Sequence, residues 1–137
     1  MLLAPKFVKY KKPFTRKKVH INNEKNYNFR LGEHALISSE FGRITSRQIE
    51  ATRKLIRKTL KKEAKTWINI FPQTAITKKA QESRMGKGKG VVKYWVALVQ
   101  KSKLFFEVKG LRKQIIKKTL KSAQVKLSIK TNFFSKF

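Results

Sequence analysis

The chain contains neither cysteine nor aspartate, and all seven of its acidic residues are glutamate. Without cysteine, disulfide bonds and cysteine-based zinc sites are excluded. No apolar run approaches the roughly 18 residues that a membrane-spanning helix needs. The first 18 residues also lack the long apolar region of a secretory signal, although their lysine-rich, acid-free composition leaves a transit peptide open.

Residues suited to catalysis are also scarce. The chain has only two histidines, His20 and His34, and no cysteine or aspartate to pair with either. A lone histidine is far more often structural or superficial than catalytic. Glu24, Glu33 and Glu40 are scattered, without the paired spacing that general acid–base catalysis needs. We therefore expect no enzyme, no cofactor and no metal site.

Positive charge is what the chain has in abundance. Lysine and arginine number 35 against seven acidic residues, giving a formal net charge of +28. Such self-repulsion destabilises a compact state unless a partner supplies counter-charge. Nucleic acid is the obvious supplier, because each neutralised phosphate also releases condensed counterions. The cations run along the whole chain, which is typical of a protein surrounded by nucleic acid on several sides.

The first 26 residues are predicted to be an extended basic arm. Pro5 and Pro13 break regular structure, and the cations alternate with three aromatic residues, Phe7, Tyr10 and Phe14. A disordered, solvated tail is the alternative interpretation. The aromatic residues favour an RNA-contacting arm, because they offer surfaces on which bases can stack.

Residues 27–137 are predicted to form a single α+β domain. Helices are predicted at 46–64 and 111–124, and strands at 27–37, 66–71, 91–99, 104–108 and 126–134. Thr45 and Gln48 fit a capping box at the start of the first helix. Its predicted apolar stripe is Ile49, Ile56 and Leu60, and that of the second helix is Ile115, Ile116, Thr119, Leu120 and Ala123.

Two helices with one-sided apolar stripes can cover only one face of a sheet. We therefore predict a two-layer sandwich, in which both amphipathic helices lie on one face of a mixed or antiparallel sheet.

A long connection is predicted at residues 73–90 and is therefore functional or disordered. It ends in a run that we call the glycine-lysine loop: Arg84, Met85, Gly86, Lys87, Gly88, Lys89 and Gly90. Glycine lets the backbone approach a ligand closely, and lysine offers a point charge suited to phosphate. The run lacks the P-loop pattern and precedes a predicted strand, not a helix. It predicts contact with a polyanion.

Several motifs in one order carry a family resemblance. Residues 42–51 (GRITSRQIEA), 67–72, 84–90 and 94–98, together with both chain ends, resemble the bacterial-type universal family of large-subunit ribosomal protein sixteen. The resemblance covers essentially the whole chain. It departs at Arg112 and Lys113, where the family commonly has proline and acidic residues, so the last helix is unusually cationic.

This resemblance implies a structural constituent of the large ribosomal subunit. Family members lie in a cleft of large-subunit rRNA beside the aminoacyl-tRNA site and help to shape that site near the peptidyl-transferase centre. The two-layer α+β fold is also theirs, and the RNA performs the catalysis. The implied partners are large-subunit rRNA, tRNA in the aminoacyl site and neighbouring ribosomal proteins, with no membrane and no homo-oligomer.

The site predictions follow from the charge pattern and the resemblance together. The glycine-lysine loop is expected to face tRNA. The residues expected to bind rRNA lie on the arm and both helices: Lys6, Lys9, Lys11, Lys12, Arg16, Lys17, Lys18, Arg47, Lys54, Lys58, Lys61, Arg112, Lys113 and Lys117.

The ratio of lysine to arginine gives an indication of the cellular compartment, because it reflects the base composition of the genome. Lysine outnumbers arginine 27 to 8, which suits an AT-rich genome such as that of an organelle. The family-like start at residue 1 leaves no room for a cleavable presequence. These features favour a mitochondrial ribosome, with a chloroplast or an AT-rich bacterium as alternatives. The rival functions are a free-standing regulatory or packaging protein that binds nucleic acid and, third, a membrane-active cationic protein.

Overall fold

The structure is a computed structural model, and it describes residues 3–14 and 29–136. Within these ranges the chain forms two helices and seven strands, so the predicted α+β class is confirmed. The helices are α1 (Ser46–Leu60) and α2 (Lys113–Gln124). The strands are β1 (His34–Ser38), β2 (Gly42–Thr45), β3 (Lys65–Ile68), β4 (Thr74–Lys78), β5 (Val91–Val99), β6 (Leu104–Lys109) and β7 (Thr131–Ser135).

The described strands form two antiparallel sheets, where the sequence predicted one. The larger sheet has the order β3-β6-β1-β7, and the smaller has the order β2-β5-β4. The short strands β2 and β4 escaped prediction, since each depends on pairing with β5 and carries little pattern of its own. Because β4 lies within residues 73–90, the irregular connection is only 79–90.

The main core joins both helices to the larger sheet. Ile56 and Leu60 of α1 meet Ile116 and Leu120 of α2 in one buried cluster, which also contains Phe106 of β6. Thr45 caps α1 as predicted: its backbone N–H donates to Gln48 Oε1 at 2.9 Å, and its hydroxyl accepts from the Gln48 N–H at 3.3 Å. Ile115, predicted to join the apolar stripe of α2, is instead exposed.

Several predicted boundaries differ from the structure. Helix α1 ends at Leu60 because Lys61 turns to a φ of 51°, and α2 begins two residues later than predicted. After α2, hydrogen bonds from the Lys126 and Leu127 amides back to Ala123 and Gln124 continue the chain as a turn. Strand β7 therefore starts only at Thr131, where residues 126–134 were predicted.

The first strand begins at His34, although residues 27–37 were predicted as strand. The backbone N–H groups before it are directed to a different acceptor. Those of Leu31 and Gly32 donate to Glu107 Oε2 at 2.8 and 2.7 Å, and that of Arg30 is 3.3 Å from both carboxylate oxygens. The side chain of Asn69 also donates to Glu107. Residues 27 and 28 lie outside the described part.

Glu107 is fully buried, and yet its pKa is not raised. Burial acts to raise its pKa, but the donors from Gly32, Leu31, Asn69 and Arg30 outweigh burial and hold the pKa of Glu107 below its ordinary value. Gly32 is needed beside it, because a Cβ at that position would lie 2.7 Å from the Glu107 Cβ. We call this group of Glu107, Asn69 and residues 30–32 the carboxylate nest.

Candidate nucleic-acid interface

The basic arm and the glycine-lysine loop contact each other directly. The ammonium group of Lys12 donates to the backbone oxygen of Lys89 at 3.2 Å, and that of Lys89 donates to the backbone oxygen of Pro13 at 2.6 Å. The Lys89 ammonium also lies 5.6 Å from the ring centroid of Phe14. These four residues form what we call the arm–loop clasp, which joins segments more than 70 residues apart in sequence.

The loop itself has a backbone that glycine makes accessible. Gly86, Lys87 and Gly88 have successive positive φ values of 100°, 53° and 75°, a region that side chains with a Cβ rarely adopt. The ammonium of Lys79 braces the loop by donating to the Gly86 oxygen at 2.6 Å. Residues 78–89 are all exposed, so the loop offers its charge to the surroundings.

Gly90 ends the loop at a point of close backbone approach. A Cβ at this position would lie 2.7 Å from the backbone of Lys78 and Lys79. Lys78, the last residue of β4, pairs with Val91, the first residue of β5. The glycine-lysine loop is therefore the connection that closes this hairpin, and its base is held by sheet pairing.

The described part of the arm runs from the core to the loop. Leu3 packs against the main core at one end, and Pro13 and Phe14 meet the loop at the other. Between them, Phe7, Tyr10 and Phe14 are exposed by 95%, 68% and 96% of their surface. Most of the surface of these rings is free of contact with the protein, and it offers stacking surfaces to the bases of an RNA strand.

The predicted cations of α1 share one exposed stripe. Arg47, Lys54, Lys58 and Lys61 follow each other at helical spacing, and all four are exposed. They lie opposite the buried residues Ile49 and Ile56. The helix thus presents an apolar face to the core and a cationic face outward.

The N-terminal end of α2 concentrates positive charge where helices favour negative charge. Arg112 occupies the N-cap without a side-chain capping hydrogen bond, and the first turn has no acidic residue. Lys113 and Lys117 follow, and all three residues are exposed. Cations at a helix N-terminus oppose the helix dipole, so an anion beside this end would relieve the repulsion.

The remaining predicted arm contacts divide between the two parts of the chain. Lys6, Lys9 and Lys11 lie on the described arm and are exposed, and the Lys9 ammonium is 5.6 Å from the Tyr10 ring centroid. Arg16, Lys17 and Lys18 lie outside the described residues, as do His20 and Glu24.

His34 has a structural environment. It is buried, stacks on Phe133 with ring centroids 5.8 Å apart, and lies with Nδ1 3.1 Å from Ser135 Oγ. Burial lowers its pKa, with Glu33 acting to raise it and Lys113 to lower it further. No group of three or more potential metal ligands occurs in residues 3–14 and 29–136. No helix in that same part is long and apolar enough to cross a membrane.

The prediction missed three cations on or next to α1. Arg53, Arg57 and Lys62 line a cleft together with Lys61. The four-residue spacing of 53, 57 and 61 was visible in the sequence as a second cationic line on the helix. Its importance was hidden because nothing in that spacing shows which element packs beside it.

The fold and its surface define a strongly basic α+β protein whose exposed arm, loop and helix faces are rich in cations. Residues 5–134 match the family described as Ribosomal protein L16p/L10e, and the chain belongs to this family.

Named relatives agree over nearly the whole length. The chain is 43% identical over 135 residues to "Large ribosomal subunit protein uL16" of Buchnera aphidicola subsp. Cinara cedri, with 98% of each chain covered. It is 41% identical to the protein of the same name from Thioalkalivibrio sulfidiphilus, again with 98% of each covered. It is 47% identical to "Large ribosomal subunit protein uL16c" of Euglena longa, covering 98% of this chain and 99% of the relative.

Proposed function

We propose that this protein is a structural component of the large ribosomal subunit that binds large-subunit rRNA and contributes to the aminoacyl-tRNA site. The arm–loop clasp is the observation that carries the proposal. It combines the exposed ring of Phe14 with the exposed lysines Lys12 and Lys89, which matches the needs of an RNA strand. Family membership supplies the ribosomal context.

The distribution of charge supports RNA as the partner. Within the described residues, only two ion pairs bridge lysine or arginine to glutamate side chains, Arg53–Glu50 and Lys109–Glu33. The net charge of +28 already counts every glutamate of the chain, so only a partner can neutralise it. Large-subunit rRNA supplies phosphates on several sides at once, which suits cations on the arm, α1 and the start of α2.

The glycine-lysine loop is proposed to face tRNA. Its hairpin base is held by β4 and β5, its tip is exposed, and Met85 is fully exposed. A tip of this kind can follow the shape of a neighbouring RNA without disturbing the core. In this proposal the protein positions RNA and neighbouring ribosomal proteins, acts as a single copy and performs no chemistry of its own.

The compartment is part of the proposal. The excess of lysine over arginine favours an AT-rich genome, and we propose a mitochondrial ribosome, with a chloroplast or an AT-rich bacterium as alternatives. The relatives named above include bacterial and plastid-type proteins. Immunoblots of purified mitochondria and plastids would distinguish the compartments, and a signal confined to plastids would contradict the mitochondrial assignment.

Sedimentation of a native lysate tests the central proposal. The protein is expected to migrate with large ribosomal subunits and to stay with them in moderate salt, because its contacts would be many and partly enclosed. A known large-subunit protein in the same gradient is the control. A protein found free, or bound to DNA, would instead favour the regulatory or packaging alternative.

A further inference from the structure

A cleft of about 310 Å³ lies between the C-terminal part of α1 and the strand β3. Four cations line it from the helix side and the turn that follows, Arg53, Arg57, Lys61 and Lys62. Thr66 and Ile68 line it from the β3 side. Since β3 is an edge strand of the larger sheet, no further strand covers the cleft on that side.

Three of these cations have no acidic partner among the described residues. Glu50 accepts two hydrogen bonds from Arg53, at 2.7 and 2.8 Å, and Arg53 holds the pKa of Glu50 below its ordinary value. Within residues 3–14 and 29–136, no carboxylate lies within ion-pair distance of Arg57, Lys61 or Lys62. Three positive charges around one cleft repel each other unless an anion enters it.

The backbone conformation of Lys61 supports a functional role for its side chain. Lys61 is the C-cap of α1 and lies at φ 51° and ψ −134°, a backbone region that favours glycine. A lysine here imposes backbone strain, and strained positions cluster at sites where a side chain is used. Its backbone N–H donates to the Arg57 oxygen at 2.9 Å, which links the two cationic positions.

The walls of the cleft indicate what kind of anion fits. A free phosphate needs only donors and charge, whereas this cleft is also lined by Thr66, a residue with a hydroxyl group, and by the apolar residue Ile68. Arginine binds phosphate through two parallel hydrogen bonds, and lysine adds a point charge. In a nucleotide, the phosphate can contact the cations on the α1 side of the cleft, and the ribose can contact Thr66 and Ile68 on the β3 side.

We propose that this cleft binds the backbone phosphate and adjoining ribose of one RNA nucleotide, with Arg57, Lys61 and Lys62 holding the phosphate. The site deepens the proposed function and rests on it, since the RNA is taken to be large-subunit rRNA. The cleft lies beside the outward stripe of α1 and shares Lys61 with it, while Arg53 and Arg57 line the cleft from the flank of the helix next to the buried residues.

A matched pair of triple variants of the full chain tests the site. Arg57→Gln with Lys61→Gln and Lys62→Gln removes three charges from the cleft. Lys101→Gln with Lys103→Gln and Lys130→Gln removes three charges from exposed positions elsewhere. Binding to a large-subunit rRNA transcript is measured over a range of salt concentrations.

The cleft variant is expected to lose about tenfold or more in affinity, because charge-assisted hydrogen bonds are lost. Its salt slope should fall by about one relative to the unmodified protein, which is the effect of one phosphate contact. The control variant should lose much less. Equal losses in the two variants would overturn the cleft and leave the proposed function intact, whereas an unmodified protein that prefers DNA to rRNA would overturn the proposed function itself.

Lys61→Gly separates folding from binding. Glycine relieves the strained backbone while removing the charge, so thermal stability should be unchanged or higher and rRNA affinity should fall. Unchanged affinity would contradict the proposal. Photo-crosslinking within the assembled particle should attach a nucleotide to the peptide containing residues 61–68, and a cross-link there to an acidic protein segment instead would overturn RNA as the occupant.

Discussion

The carboxylate nest and the glycine-lysine loop contrast in how their charges are satisfied. Glu107 is fully buried and accepts hydrogen bonds from three successive backbone N–H groups and from Asn69. The loop lysines are exposed, and within the described ranges none lies within ion-pair distance of a carboxylate. The protein therefore satisfies its buried negative charge internally and leaves its positive charge for a partner.

This difference separates fold from function. The nest connects the segment before β1 to β3 and β6, so it contributes to the architecture of the larger sheet. The loop packs against little above its base at Gly90, and its contacts there are lysine hydrogen bonds to backbone oxygens and the approach of Lys89 to the Phe14 ring. Substitutions in the two regions should accordingly affect different measurements.

The largest effect is expected for Glu107→Gln. The substitution removes the charge that four donors share, and hydrogen bonds to charged groups are worth more than neutral ones. We expect the free energy of unfolding to fall by about 3 kcal/mol, measured by urea denaturation of the full chain. Glu82→Gln, at an exposed position, should change it by less than about 0.5 kcal/mol. Equal, small changes would show that the nest does not stabilise the fold.

The nest should also make stability depend on acid. The folded-state pKa of Glu107 lies below its ordinary value, so its stabilising contribution is complete above the unfolded-state pKa. That contribution is lost as pH falls through the lower, folded-state pKa. Urea denaturation between about pH 7 and pH 3 should show a steeper acid-side loss in the unmodified chain than in Glu107→Gln. Parallel curves for the two proteins would show that Glu107 is not the source of the pH dependence.

Two glycines of the glycine-lysine loop should differ in how much their replacement by alanine destabilises the fold. Gly90→Ala places a Cβ 2.7 Å from the backbone of Lys78 and Lys79, and we expect it to destabilise the fold by about 2 kcal/mol. Gly88→Ala meets open space and only the unfavourable φ of 75°, for which we expect about 1 kcal/mol. Thermal unfolding of the two variants measures the difference. The reverse order would mean that the hairpin base is not tightly held.

The smallest effect on stability is expected for the loop lysines. Lys87→Ala with Lys89→Ala removes exposed charges, so thermal stability should change by less than about 0.5 kcal/mol. Accommodation of fluorescent tRNA by ribosomes containing the variant should nevertheless become slower. Lys101→Ala with Lys103→Ala serves as the control at another exposed turn. A large loss of stability in the loop variant would show that the arm–loop clasp supports the fold.

Local sequence patterns were sufficient to predict some of the helices and strands. The capping box at Thr45 and Gln48 and the buried positions Ile49, Ile56 and Leu60 were predicted, because helix signals lie within a few residues of each other. Strands β5 and β6 were also predicted from their apolar content. Strands β2 and β4 were not, because a short strand is stabilised by the partner that it pairs with.

The candidate site divides in the same way. The sequence shows that the arm and the loop are cationic, but it does not show that they touch. Lys12 and Lys89 are 77 residues apart, and no periodicity reports a contact at that separation. Residues 27–37 were predicted as a strand, whereas the backbone N–H groups of residues 30–32 are directed to the distant Glu107 carboxylate.

By itself, the sequence determined the class of protein: an acid-poor, cysteine-free chain with a large positive charge and the motifs of one ribosomal family. These properties depend on residue types and their order. The tertiary structure alone decided that Glu107 lies in a nest of donors, that the arm is joined to the loop, and that four cations of α1 and its following turn share a cleft with β3. Such arrangements depend on packing between distant segments, where the geometry of the whole fold determines which charges meet.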